Sequence, residues 1–169
     1  MTAYECSKAA SELREQISSS KRRIGFFLGA GTSMTAGLPG IAQLTDSVES
    51  ALEKSQKDDF QRTKRGLSGS PNVEDVLNRV RLYRELLSHS SKREHDGLTE
   101  DAAKTLDLAI CRTITRRVTV DPPAGVESHH RLARWIYALH GEREDPVEIF
   151  TTNYDLLIER ALEQIGVPF

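Results

Sequence analysis

The sequence predicts an α/β fold in which a parallel sheet carries helices on both faces, and three observations predict it. Ile24-Gly25-Phe26-Phe27-Leu28 and Val147-Glu148-Ile149-Phe150-Thr151 are short, mostly apolar runs of strand length. Each ends abruptly in small or polar residues, Gly29-Ala30-Gly31-Thr32-Ser33 in one case and Thr152-Asn153-Tyr154-Asp155 in the other. Segments with apolar residues at helical spacing precede, separate and follow the two runs. Strands alternating with helices are the mark of a parallel sheet.

Each element can be justified in order. Ala10, Leu13 and Ile17 fall at helical spacing. The run at 24–28 is apolar throughout rather than alternating, which suits a central strand covered on both faces. Gly37-Leu38-Pro39-Gly40 makes a second turn, and Leu44, Val48 and Leu52 stripe the helix after it. Residues 54–71 are rich in charge, Gly and Ser, and are expected to form a mobile loop. Asn72 is placed to cap the next helix, with Asp75 in capping-box register. Val73, Val76, Leu77, Val80 and Leu87 give that helix its core face. The stretch 89–101 is polar again. Leu106, Ala109, Ile110 and Thr113 mark another helix, Arg117-Val118-Thr119-Val120 reads as a short strand end, and Asp121-Pro122-Pro123-Ala124-Gly125 stops it. A helix over 128–140 turns Leu132, Ala133, Ile136 and Leu139 inward, with Trp135 beside that stripe as core or edge packing. After the second strand, Leu157, Ala161 and Ile165 stripe a last helix, and Gly166-Val167-Pro168-Phe169 reads as the approach to a further strand.

Two firm strands and one doubtful one fall short of the four to six usual in an open sheet. The expected sheet is therefore incomplete at the C-terminus: either the chain is the N-terminal piece of a longer protein or a partner completes it.

Composition excludes several classes. Of 169 residues, 38% are hydrophobic and 28% charged, with 25 acidic against 23 basic side chains, a balance with no basic surface for nucleic acid. The basic runs Lys21-Arg22-Arg23 and Arg116-Arg117 read as solvated edges. No stretch has the apolar length of a membrane span, and the polar start does not read as a signal peptide, so a cytoplasmic protein is expected. Cys6 and Cys111 stand far apart, as idle or buried thiols, and no histidine is spaced with cysteines or carboxylates as a ligand set; no metal is expected. Glu142, Glu144, Asp145 and Glu148 read as a solvated acidic patch.

The carboxyl ends of both strands should lie on one edge, where open α/β sheets hold ligands. Gly29 and Gly31 permit close backbone approach, and Thr32 or Ser33 adds a hydroxyl. A tight turn that needs small residues for packing is the alternative. At the second strand end, Thr151, Thr152, Asn153 and Asp155 supply amide, carboxylate and hydroxyl groups; helix capping accounts for one of them.

Read together, GAGTS at 29–33, GLPG at 37–40 and FTTNYD at 150–155 resemble the sirtuin superfamily. The resemblance is strongest to the SIR2-like domains of bacterial anti-phage defence proteins. Val73-Glu74-Asp75-Val76-Leu77 and the run 156–162 are similar to helices of that branch, so the likeness spans about 24–169. It implies that the whole chain, 1–169, is the N-terminal part of a Rossmann-like NAD-binding domain. By that likeness Gly29, Ala30, Gly31, Thr32 and Ser33 contact the dinucleotide. Gly37 and Pro39 begin a flexible cofactor loop, and Thr152, Asn153 and Asp155 line the site. Asn153 and Asp155 are the implied catalytic pair, Asn153 positioning water or ribose and Asp155 organising the nicotinamide pocket. Fixed amide and carboxylate dipoles of this kind favour the oxocarbenium charge that develops when the nicotinamide bond breaks.

Two departures from the deacylating sirtuins, Gly40-Ile41-Ala42-Gln43 after the proline and too few cysteines for a four-cysteine zinc module, point to hydrolysis of NAD to ADP-ribose and nicotinamide. The implied role is an effector in anti-phage defence, with NAD as substrate. Its implied partners are an additional C-terminal domain or a sensor protein, and further copies of itself. An NAD-dependent protein deacylase and a non-catalytic NAD or ADP-ribose sensor are the alternatives. The family's general-base histidine has no match in the chain, and His129 resembles a structural helix histidine.

Overall fold

The structure is a computed structural model that describes residues 5–19, 21–89, 93–119, 121, 127–140 and 145–169. The chain divides into two compact units, the first formed by 1–36 with 123–169 and the second by 37–122.

The first unit contains α1 (Cys6–Ser18), β1 (Gly25–Leu28), α2 (Ala30–Thr35), α7 (Ser128–His140), β4 (Glu148–Thr151) and α8 (Leu157–Gln164). The two predicted strands pair in parallel, with Phe26 opposite Ile149 and Phe27 opposite Phe150. Helices α7 and α8 cover one side of this ribbon. Leu28, Ala133, Ile136, Ile158, Ala161 and Leu162 close the core there, and the Trp135 ring meets Phe26 edge-on at 5.5 Å. Phe27 and Phe150, side by side on the strands, remain 73% and 56% exposed. Strand β1 is thus covered on one face, not on both.

The second unit is a helical bundle of α3 (Ile41–Ala51), α4 (Lys54–Arg65), α5 (Val73–Ser88) and α6 (Glu100–Val118), with a hairpin of β2 (Glu94–His95) and β3 (Leu98–Thr99). Its core joins Leu44, Val48, Phe60, Val76, Val80 and Leu106. Asn72 caps α5 as predicted: its side chain accepts from the amides of Glu74 and Asp75, and Asp75 returns a bond to the Asn72 amide at 2.9 Å. Thr45 Oγ1 accepts from the Val73 amide at 3.0 Å, which ties α3 to the start of α5.

Several expectations are corrected here. Lys54–Arg65 is helix α4 where a loop is expected. Phe60, wholly buried, anchors it, and a capping box between Glu53 and Gln56 closes its start. One large apolar residue among so many charges carries too weak a periodicity to be read. The polar stretch 89–101 holds the hairpin. Its two-residue turn, Asp96-Gly97, has both residues at positive φ (50° and 76°), the conformation that Asp-Gly pairs supply. Val118 ends α6 rather than beginning a strand, with Arg116 and Arg117 in the last turn, where basic side chains favour the helix dipole. Val120 and residues 122–126, where that strand and its stop are expected, lie outside the described residues. No strand forms at 166–169. Gly166 takes φ 74°, its amide bonds Glu163 O, and the Val167 amide bonds Leu162 O, so these residues close the end of α8.

The Rossmann-like α/β expectation is therefore overturned. Helix takes 65% of the described residues, and the strands form two separate two-stranded sheets, not one extended parallel sheet with helices on both faces. Among the described residues, no helix is long and apolar enough to cross a membrane.

Candidate functional site

The parallel pairing brings the two strand ends together as predicted, and the first unit's polar side chains gather there. Beyond β4, the Thr152 amide reaches back to Leu28 O at 3.3 Å and Thr151 Oγ1 donates to the same carbonyl at 3.2 Å. The Asn153 amide donates to Thr151 Oγ1 at 3.0 Å, which turns the Asn153 side chain toward the loop that leaves β1. Asn153 Nδ2 lies 2.7 Å from Ser33 Oγ, 3.1 Å from Gly29 O and 3.2 Å from Thr32 Oγ1. Its two hydrogens are thus shared among three acceptors.

Ser33 Oγ donates in turn to Asp155 Oδ2 at 2.5 Å, and the other Asp155 oxygen accepts the Leu157 amide at 3.1 Å. Helix capping therefore accounts for one of that carboxylate's two oxygens; the other is committed to Ser33. Ser33 and Asp155 are both buried. They brace Asn153 and the glycine loop rather than face solvent.

His129 is buried on α7. Burial pushes its imidazole below the usual histidine range and the neighbouring His130 adds to the effect, while Asp155 and Glu159 oppose it. The neutral ring is favoured. Ser128 Oγ stands 3.4 Å from His129 Nδ1 and 3.5 Å from Thr35 Oγ1, so α7 and α2 meet close to the same corner. On α8, Glu159 Oε2 is buried without a hydrogen-bond partner among the described residues. Nothing in the sequence marks Glu159, because it sits off the Leu157/Ala161 stripe.

Two residues of the corner keep open space beside them. Apart from its chain neighbours and its own helix backbone, a Cβ built on Gly29 or on Gly31 would meet no atom of the described residues within 4 Å. Gly29 has φ −101° and ψ 179°, extended backbone that any residue adopts, and Gly31 lies inside helix α2. Neither position uses the left-handed freedom of glycine, and neither is crowded. Packing against the described residues therefore gives no reason for a small side chain at either position. Ala30, Gly31 and Thr152 are exposed, while Thr32 and Asn153 are half-buried.

Of the ten residues that the sequence nominates, eight stand in this first unit: Gly29, Ala30, Gly31, Thr32, Ser33, Thr152, Asn153 and Asp155. Gly37 and Pro39 belong to the second, where Gly37 takes φ 84° in the turn before α3. Two open grooves also belong to the second unit, and neither contains a nominated residue. The larger, about 510 Å³, is lined by Lys64, Arg65, Gln61 and Glu49 among others. Lys64 is paired with Glu49 at 3.6 Å, which reduces its call on an anion.

Elsewhere in that unit the buried Asp107 carboxylate joins Arg81 at 3.3 Å and also Arg84. The Cys111 thiol leans on Asp107 at 3.4 Å, and burial, together with that carboxylate, pushes its pKa up. That shift disfavours the thiolate, the reactive form of a cysteine. Cys6 is exposed. The acidic patch is only partly described: Glu142 and Glu144 lie outside the described residues, and Asp145 pairs with Arg23 at 3.5 Å.

No family model matches the chain, and no curated protein matches it. With the extended sheet missing among the described residues, the SIR2-like assignment is withdrawn. The functions that rested on it go with it: NAD hydrolysis in anti-phage defence, NAD-dependent deacylation and the SIR2-type NAD sensor. No cluster of three or more potential metal ligands occurs among the described residues. What remains is a braced polar corner with open space beside two glycines.

Proposed function

We propose that the corner at the carboxyl ends of β1 and β4 binds a small polar ligand, one whose oxygens approach the backbone at Gly29 and Gly31. The open space beside those glycines carries the reading. Glycine inside a helix is destabilising by about 0.5–1 kcal/mol relative to alanine. At Gly31, the second residue of α2, nothing among the described residues outside the helix recovers that cost, since a methyl group there would meet none of their atoms within 4 Å. What the absent side chain supplies is access to the main chain.

The surroundings favour a polar occupant. Thr32, Thr152 and Asn153 present hydroxyl and amide groups, and the Ser33–Asp155 pair holds Asn153 in place before any ligand arrives. Such preorganisation lowers the ordering cost of binding. Thr152 and the backbone at 29–31 are assigned to ligand contact, and Ser33 and Asp155 to positioning.

NAD, the ligand that the withdrawn resemblance implied, is the first probe; the proposal extends to its binding and not to its cleavage. Calorimetric titration of the chain with NAD, ADP-ribose and inorganic phosphate tests the site. Saturable binding of one of them, weakened about tenfold or more by Asn153→Ala through loss of roughly 1.4 kcal/mol, is expected. Absence of binding by all three, or binding indifferent to Asn153→Ala, defeats the proposal.

A further inference from the structure

Buried His129 stands among groups that answer to its charge. Ser128 Oγ lies 3.4 Å from its Nδ1 and 3.5 Å from Thr35 Oγ1 of α2. Thr35 Oγ1 donates in turn to Thr32 O at 2.6 Å, and Thr32 Oγ1 accepts from Asn153. The carboxylates of Asp155, in the loop before α8, and Glu159, on α8, act on the ring electrostatically. His130 of α7 is the remaining titratable group that reaches it among the described residues, and α2 has no titratable side chain. Asp155 Oδ2 holds Ser33, whereas Glu159 Oε2 is buried with no hydrogen-bond partner among the described residues. A buried acceptor left without a donor is costly, and a proton on His129 offsets that cost.

We infer that His129 is a proton-operated support of the corner: neutral, it leaves the Ser33–Asp155 bond in place; protonated, it draws Asp155 away from Ser33 and so releases Asn153. The neutral ring offers one donor and one acceptor, whereas the imidazolium offers two donors and no acceptor. Nδ1 can then no longer accept from Ser128, whose hydroxyl is left with Thr35 Oγ1 as its partner. The new charge also competes for Asp155. Ser33 brings that carboxylate a neutral hydroxyl, while an imidazolium in the same buried surroundings brings a full positive charge. Once Asp155 turns, Ser33 Oγ is no longer fixed, and at 2.7 Å it is the shortest of the three contacts that hold Asn153 Nδ2. The loosening belongs to the free chain; its consequence, weaker binding as pH falls, rests on the assignment of the corner to a polar ligand.

Nuclear magnetic resonance of the isotope-labelled full chain, titrated from about pH 7.5 to about pH 5, tests this. The His129 ring should titrate with a midpoint below the ordinary value of about 6.5. The side-chain amide signals of Asn153 and the backbone amide signal of Ser33 should shift with that same midpoint. In His129→Gln those signals should stay fixed over the range. In Glu159→Gln the shared midpoint should move further down, because a carboxylate that favours the imidazolium is gone. The coincidence of midpoints in the wild type decides the matter even where a variant fails to fold. The dissociation constant for NAD should rise about tenfold from the upper to the lower end of the range in the wild type, and less than about twofold in His129→Gln. Three results overturn the inference: Asn153 and Ser33 signals that ignore the His129 titration, signals that move as far in His129→Gln, or NAD bound equally tightly at both ends of the range. Failure of NAD, ADP-ribose and phosphate to bind at any pH defeats the ligand assignment alone, and the Asn153 signals still decide whether His129 works as the support.

Discussion

Gly31→Ala separates the two reasons for which a chain keeps a glycine, because they predict opposite signs in one of two assays. If Gly31 is needed by the fold, alanine there destabilises the protein. If it is kept for access, alanine stabilises the free protein and weakens ligand binding. The structure supports the second. The residue lies in α2 without positive φ, and its Cβ would meet no atom of the described residues outside that helix within 4 Å. Alanine then brings its helix preference and the reduced entropy of the unfolded chain, together about 0.4–1 kcal/mol. For a chain of this size that corresponds to a rise in Tm of roughly 1–4 °C. On the proposed reading the added methyl enters the space assigned to the ligand, so affinity for whichever probe binds should fall. Differential scanning calorimetry gives the first quantity and isothermal titration the second. A fall in Tm would refute the reasoning about the fold, and a rise in Tm with unchanged affinity would refute the assignment of that space to a ligand.

Other expectations follow from the same structure. His129 has a depressed pKa in the folded chain, so the unfolded state binds the proton more readily. Stability contributed by the neutral ring is present above the unfolded value of about 6.5 and is lost as pH falls below it toward the folded pKa. Urea midpoints measured from pH 7.5 down to pH 5 should decline more steeply for the wild type than for His129→Gln, and equal slopes would exclude the buried imidazole as the cause. Phe60→Ala empties a fully buried site on α4 and should cost about 3–5 kcal/mol, read from urea unfolding followed by circular dichroism; a loss under 1 kcal/mol would mean that α4 does not depend on this anchor. Asn72→Ala removes both capping bonds to the start of α5 and should cost about 1 kcal/mol in the same assay. Asp107→Asn weakens the carboxylate partner that Arg81 and Arg84 share among the described residues and should cost about 1–3 kcal/mol, with the effect shrinking in high salt if the ionic part dominates.

Much of the local structure is legible in the chain because it depends on neighbours in sequence. The spacing of Val73, Val76, Leu77, Val80 and Leu87 foretells the buried face of α5, and Asn72 with Asp75 foretells its cap, since both depend on backbone geometry within one turn. The apolar runs ending at Leu28 and Thr151 foretell the strands, and their polar sequels foretell the corner where Asn153 meets Gly29, Thr32 and Ser33. Helix α4 and the Asp96-Gly97 hairpin are harder to read, because a single buried phenylalanine and a two-residue turn leave little periodicity.

By itself the sequence determined α5 with its cap, the two apolar strands and their parallel sense. Only the tertiary structure decided that they join no extended sheet among the described residues, that Phe27 and Phe150 face outward, and that 166–169 closes a helix instead of starting a strand. The physical reason is that an apolar run specifies what a segment can bury, whereas which surface covers it depends on distant residues. Phe26 and Phe27 are adjacent and chemically identical; the one packs on Trp135 of α7, 109 positions away, and the other meets nothing that buries it.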